Sequence, residues 1–277
     1  MKLEFIDSYY FTDNELRKVE SELPTPENII SVYEIIRIIG GIPLFIEDHV
    51  ERLFNSLQNI DFETSIYSLQ NFKTKIASIC EANQKFFGNI EIRVSKNETN
   101  KVLCYLGFIP HKYPEPLSYL EGVLVDVIAA ERERPTIKIK PSKTRLKANE
   151  YLNTHNCFEV LLMNNQQNIT EGSRSNFFYF YKNQLFTAPD KVILQGVTRK
   201  YIVKSIENLG IELKIKSLAN QNIKNIDAAF LTGTSLGLLP IKSIGNYNLN
   251  PQYEQLKDLK KEYNNLVQNY LSSYKTV

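Results

Sequence analysis

Cysteine and histidine are scarce in this chain. Three cysteines (Cys80, Cys104, Cys157) are odd in number and far apart, which argues against a disulfide framework and fits reduced, buried thiols. Three scattered histidines (His49, His111, His155) make no ligand cluster, so no metal is expected. An excess of one charge is also missing. The 33 basic and 31 acidic residues leave a formal charge of +2, which gives no electrostatic case for nucleic acid or an anionic membrane surface. No apolar run approaches the roughly 20 residues that span a bilayer. The opening "MKLEFIDSYY" has no long apolar stretch after its lysine, so no secretory signal is expected and the cytoplasm is the expected compartment. Repeats and low-complexity segments are lacking too. What is present is ordinary for a soluble protein, 43% apolar and 23% charged residues. The length of 277 residues suffices for two modest domains or one large one.

Periodicity gives an α+β pattern over the first hundred-odd residues. "IISVYEIIRIIGGIPLFI" (29–46) reads as two strands joined at Gly40-Gly41. Val50, Leu53, Phe54 and Leu57 then recur at helical spacing over 47–59, and 66–84 looks like a second amphipathic helix. Strands are expected at 89–95 and 101–109. The Pro-rich "PHKYPEP" (110–116) is the natural break. The expected division is therefore 1–112, a linker at 113–119, and 120–277. Beyond the break, strands are expected at 122–130, 136–140, 157–164, 177–182, 184–188 and 228–235. Helices are expected at 141–156 and 198–210, with a closing amphipathic helix through Tyr253, Leu256, Leu259, Tyr263, Leu266 and Tyr270. Alternation of strands and helices in this half points to an α/β arrangement.

Three short stretches invite a chemical reading. "NITEGSRSNFFYF" (168–180) places Glu171 and Gly172 between segments that read as buried β-structure; the bland alternative is a solvated turn. "VILQGVTRKYIV" (192–203) runs from strand to glycine turn to helix. Gly196 permits the tight turn, and the amides of Val197 and Thr198 open a helix whose dipole favours an anion. "LTGTSLG" (231–237) is a second small-residue turn, with hydroxyls on Thr232, Thr234 and Ser235. Each alone is more often a plain connection. Arg52, on the first expected helix, is a candidate cationic partner or simply a surface arginine.

Together these pieces resemble the class IV pyridoxal-phosphate enzymes, the family of branched-chain and D-amino-acid aminotransferases and aminodeoxychorismate lyase. "VYEIIRIIGGIPLFIEDHVERLFNS" resembles the N-terminal strand pair and helix of that family. "FEVLLMNNQQNITEGSRSNFF" resembles its Glu-Gly-Ser motif, "LQGVTR" its Pro-Gly-Ile-Thr-Arg turn, and "FLTGTSLGLLPI" its last phosphate-side turn. The resemblance runs from about residue 30 to about 242 in family order. It implies a two-domain, D-amino-acid-aminotransferase-like fold with pyridoxal 5'-phosphate between the domains. It also implies a homodimer, and an amino acid and a keto acid as substrates. By the same resemblance Glu171 contacts the pyridine nitrogen, where a carboxylate keeps the ring protonated and electron-accepting. Arg52, Gly196, Val197, Thr198 and Thr234 would hold the phosphate. Tyr33, Lys96 and Ser235 would line the substrate pocket.

The family also requires one lysine to carry the cofactor aldehyde. Lys138, Lys140, Lys143 and Lys147 are candidates. Lys147 leaves too few residues before the next expected strand for a crossover helix. Lys138 lies in "TIKIK", 33 residues before Glu171, and is preferred; Lys140 and Lys147 stay open. The sequence departs from the family pattern in three places. Pro141 stands at the usual asparagine position, "LPTPENII" replaces a glycine-rich run, and Lys96 in "RVSKNETN" stands near an arginine with no histidine following. The activity so implied is transamination. Two alternatives remain: aminodeoxychorismate lyase, releasing pyruvate and 4-aminobenzoate, and a non-catalytic binding protein.

Overall fold

A computed structural model of the chain describes residues 4–19, 30–62, 64, 67–96 and 102–274. Contacts divide it into two units, Met1–Lys112 with Ile137–Pro141 and Asn269–Val277, and Tyr113–Thr136 with Ser142–Gln268. The first unit begins with β1 (Tyr9–Thr12), β2 (Glu15–Lys18), β3 (Ser31–Ile39) and β4 (Ile42–Pro43). It continues with α1 (Ile46–Gln58), α2 (Leu69–Ala82), β5 (Phe87–Lys96) and β6 (Val102–Ile109). The second unit begins with α3 (Ser118–Glu121) and β7 (Val123–Ala129). The next strand, β8 (Ile139–Lys140), belongs to the first unit. The second unit then resumes with α4 (Lys143–Thr154), β9 (Glu159–Met163), β10 (Asn168–Gly172), β11 (Asn176–Tyr181) and β12 (Gln184–Thr187). It is completed by α5 (Val197–Asn208), β13 (Leu213–Ile215), β14 (Leu218–Ala219), β15 (Ala228–Gly233), β16 (Gly237–Ile244), β17 (Tyr247–Asn248) and most of α6 (Glu254–Ser273).

In the first unit the sheet order is β2-β1-β6-β5-β3-β4, with β8 against β3. Gly40 and Gly41, at φ of 58° and 82°, make the β3–β4 turn in a region that glycine enters freely. One face of β3 and β5 is apolar. Val32, Ile36, Ile38, Ile90, Ile92 and Val94 pack there with Leu53, Leu57, Phe72 and Ile76 of the two helices. The other face carries Tyr33 and, across the ladder from it, Arg93, with Glu91 two residues along β5. Ser68 caps α2 by accepting from the Asn71 amide, which starts the helix at Leu69 and not at 66. The end of α6 also belongs to this unit. Tyr270 packs its ring on Phe45 at 4.9 Å and donates from its hydroxyl to Glu47 at 2.7 Å.

The second unit is built on the order β13-β12-β11-β15-β16-β7-β9-β10-β14, with β17 against β16. Pairings β7–β9, β7–β16 and β12–β13 are parallel. The run "NFFYFY" alternates across β11. Phe178 stacks on Phe230 at 4.9 Å, while Phe177 stacks on Tyr179, whose ring lies 5.0 Å from Phe186. Both faces of this strand are thus buried, as suits a central strand.

Two expectations need correction. A single cut near 113–119 misassigns residues 137–141 and 269–277, because β8 pairs antiparallel with β3 (Ser31↔Lys140, Val32↔Ile139) and α6 ends in the first unit. The expected linker itself contains the start of α3, and Tyr119 donates to the Leu236 carbonyl at 2.9 Å. No helix of the described residues is long and apolar enough to cross a membrane.

Candidate active site

In the first unit a carboxylate breaks the apolar face of β3. Glu34, fully buried, takes Arg52 Nε on Oε1 at 2.7 Å and Arg52 Nη2 on Oε2 at 2.7 Å. His49 Nδ1 lies 2.8 Å from the same Oε2, and Lys138 Nζ lies 3.7 Å away. The α1 spacing puts His49 and Arg52 on one helix face, three residues apart. Burial alone would push Glu34 up; the charges of Arg52 and Lys138 and the hydrogen bonds outweigh it and hold the carboxyl well below its usual range. Burial pushes His49 down, against the pull of Glu34. Lys138 and Lys140 approach the Tyr33 ring, at 5.1 and 4.3 Å from its centroid. Lys140 is also tied by its amino group to Glu91 at 2.9 Å, and Arg93 Nε donates to the same carboxylate at 2.5 Å.

In the second unit Glu171 lies in β10, where the ladder to β9 gains one residue between Ile169 and Gly172. Such a bulge re-aims a side chain. The carboxylate is 1% exposed and is therefore no solvated turn. Arg132 Nε donates to Oε1 at 2.6 Å, while the Leu194 amide and Asn176 Nδ2 donate to Oε2 at 3.2 and 3.3 Å. Burial raises the Glu171 pKa and Arg132 opposes that rise. Asn176 also donates to the Leu194 carbonyl at 2.7 Å, and a Cβ on Gly196 would come within 2.2 Å of Asn176 Oδ1. Gly196 is the N-cap of α5 and offers no side-chain hydrogen bond to the first amides, those of Val197 and Thr198. Thr234 and Ser235 lie in the turn closed by the Leu236 amide on the Gly233 carbonyl, 3.0 Å. Just before it, Thr232 Oγ1 is buried without a hydrogen-bond partner among the described residues.

The structure therefore gathers Lys138 and Arg52 around Glu34 in one unit, with the Tyr33 ring 5.1 Å from Lys138 Nζ, and in the other it gathers Glu171 and Gly196 around Asn176, with Val197 and Thr198 next in the chain at the start of α5. It does not bring Lys96 to Tyr33. Lys96 lies over the Phe62 ring at 4.4 Å and donates to the Asp61 carbonyl, on the face of β5 opposite Arg93. The departures at 23–29 and 97–100 lie outside the described residues. Lys147 sits inside α4, exposed, donating to the Ala129 carbonyl at 2.7 Å. Sequence reasoning missed Glu34, Arg93 and Arg132. A lone acid among β3 isoleucines was the available signal for Glu34. Arg132, in "ERERP", reads from sequence as a solvated charge run.

The family model described as amino-transferase class IV matches residues 31–244. A D-alanine aminotransferase of Bacillus licheniformis is 26% identical over 223 residues, covering 77% of this chain and 78% of its own. An aminodeoxychorismate lyase of Bacillus subtilis is 24% identical over 261 residues, covering 86% and 87%. Among solved structures, a branched-chain amino acid aminotransferase of Escherichia coli superposes with a TM-score of 0.85 at 19% identity, covering 95% of each chain. A putative branched-chain amino acid aminotransferase of Thermotoga maritima gives 0.80 at 21% identity, covering 97% of this chain and 99% of its own.

Proposed function

The chain belongs to the class IV aminotransferases, enzymes that use pyridoxal 5'-phosphate, and from that premise we propose that it moves an amino group between an amino acid and a 2-keto acid. The observation that carries this reading is Glu171. A carboxylate sealed in a strand bulge is costly to bury, and packing gives no reason for it. The second unit otherwise fits a phosphorylated pyridine. It offers the α5 N-terminus, which has no side-chain cap, and a hydroxyl-bearing turn next to a buried Thr232 hydroxyl that lacks a partner among the described residues.

When bound, the cofactor would supply an electron sink for a carbanion at the substrate Cα. Glu171 holds the proton on the ring nitrogen, and Arg132 favours the ionised carboxylate that this needs. Val197 and Thr198 amides and the Thr234 hydroxyl bind phosphate. Arg52 is the family's phosphate arginine by position, and its hydrogen bonds to Glu34 fix where its guanidinium points. Lys138 would hold the cofactor through its amine, the group placed to move a proton at the substrate Cα. Glu34 lies 3.7 Å from its Nζ and pairs with it in the first unit. Tyr33 and Ser235 line the substrate. A second reading, the lyase, draws on the Bacillus subtilis relative, whose similarity covers more of the chain.

The test is a screen of D- and L-amino acids and aminodeoxychorismate with cofactor-loaded protein. We expect amino transfer to a keto acid, with D-alanine the first substrate to try. Release of pyruvate and 4-aminobenzoate would favour the lyase, and failure to retain the cofactor on dialysis would sink both.

A further inference from the structure

A second buried carboxylate stands behind Glu171. Glu159 opens β9 and is 3% exposed. Its Oε1 accepts from Ser173 Oγ at 2.7 Å and from the Val160 amide at 2.9 Å. Its Oε2 accepts from the Arg174 amide at 3.0 Å and from Ser175 Oγ at 3.1 Å. A carboxylate has about four lone-pair sites, and here each oxygen takes two donors. Glu159 makes no ion pair among the described residues; its hydrogen-bond donors are two backbone amides and two hydroxyls, one of which, Ser173 Oγ, also accepts from Arg145 Nη1 at 3.2 Å. Three of the four donors come from one turn, 173–175, which directly follows Glu171.

That turn is tightly built. The Gly172 amide donates to the Ser175 carbonyl at 2.8 Å, and the Ser173 amide to the Val160 carbonyl at 2.9 Å. A Cβ on Gly172 would come within 2.1 Å of Ser175 Oγ and 3.3 Å of Glu159 Oε2, so a side chain there would push the turn off the carboxylate. On its other side the Ser173 carbonyl accepts from Arg132 Nη2 and Arg145 Nη1, both at 3.0 Å. Arg132 is the residue whose Nε holds Glu171 Oε1. The hydrogen bonds thus run from Glu159 through Ser173 to Arg132 and on to Glu171.

We propose that Glu159 is a positioning residue of the active site: by holding the 173–175 turn it fixes Arg132, and through Arg132 the orientation of the Glu171 carboxylate. The inference rests on the aminotransferase reading for what Glu171 then does. A simple strut would stabilise the unit and nothing more. A positioning residue acts on cofactor and turnover only through Glu171, and the two roles separate in a double-mutant cycle.

The experiment compares Glu159→Gln, Glu171→Gln and the double variant in the full chain. Two quantities are read: the cofactor dissociation constant by equilibrium dialysis, and the single-turnover rate. In the parent background Glu159→Gln should weaken cofactor binding and slow turnover by about tenfold, the scale on which partners of site ligands act. In the Glu171→Gln background it should change each by less than about twofold, as full coupling between the two sites requires. Losses that multiply across the two backgrounds would overturn the proposal, and so would parent-like values for Glu159→Gln. If Glu159→Gln does not fold, Ser175→Ala removes one of the four donors and is read by the same cycle. A parent that holds the cofactor but transfers no amino group defeats the aminotransferase reading alone, and the dialysis arm of the cycle still decides the role of Glu159.

Discussion

Glu34→Gln removes one charge and leaves three groups facing the gap. In the parent, Arg52 gives Glu34 two hydrogen bonds at 2.7 Å, His49 stands at 2.8 Å and Lys138 at 3.7 Å. The side chains of Arg52 and Lys138 are only 12% and 13% exposed, so water does not readily replace the lost partner. Removing one side of a buried pair costs about 3–5 kcal/mol, mostly as the burial of the charge left behind. The residual exposure of both cations points to the lower end, about 3 kcal/mol, or roughly a hundredfold in the local opening equilibrium. Two units make one global unfolding free energy a poor measure. Native-state hydrogen exchange of the β3 and β5 amides reads the first unit directly. Arg52→Met should cost a similar amount, and the double variant less than the sum of the two, because it leaves neither charge unpaired. Exchange faster by less than about fivefold in Glu34→Gln, near 1 kcal/mol, would refute the reasoning. Strictly additive losses would refute it equally.

Acid should weaken the first unit in two stages. His49 is pushed below 6.5 and Glu34 below 4.5, so in each case the unfolded chain takes the proton first and stability falls as pH drops, first below about 6.5 and then below about 4.5. Glu171, raised above 4.5, has the opposite sign: its contribution falls as pH rises through the interval just above that value. Amide exchange on β3 and on β10 between pH 4 and 7 should show the two trends, and parallel slopes in both strands would contradict them. Gly196→Ala should displace Asn176 from Glu171 and from the Leu194 carbonyl, weakening cofactor binding while the aromatic core stays intact; unchanged affinity would show that Asn176 has room to move. Borohydride trapping and peptide mapping should put the cofactor on Lys138, and a label on Lys140 or Lys147 would move the assignment. Light scattering should give twice the 32.1 kDa chain mass, with a single-chain mass in an active sample refuting the dimer.

Local signals carried much of this architecture. The Gly40-Gly41 turn, the 3.6-residue period of α1 and the glycine start of α5 are short-range features, and each element formed within a residue or two of its expected bounds. What escaped is non-local. The pairing of β8 with β3 joins residues over a hundred positions apart, and no composition shift marks it. The bulge at Glu171 exists only relative to the register of β9. Glu34 and Glu159 are each the one acidic residue of a largely apolar strand. Their partners come from α1 and Lys138 in one case and mostly from a turn fourteen residues on in the other, so the carboxylate was visible in the sequence and its task was not.

The two-residue strand β8 has a consequence for anyone who cuts the gene. A fragment ending at Lys112 keeps Glu34, His49 and Arg52 but lacks the segment that carries Lys138. It also uncovers the Ser31–Val32 end of β3, whose backbone is paired by Lys140 and Ile139 and by the Tyr33 amide on the Lys138 carbonyl at 3.1 Å. Open strand edges recruit other strands, so such a fragment should self-associate. Supplying residues 113–277 as a separate polypeptide would return both the missing edge and the missing amine, which makes this chain a candidate for split-protein complementation, with lysine and carboxylate reunited only on reassembly.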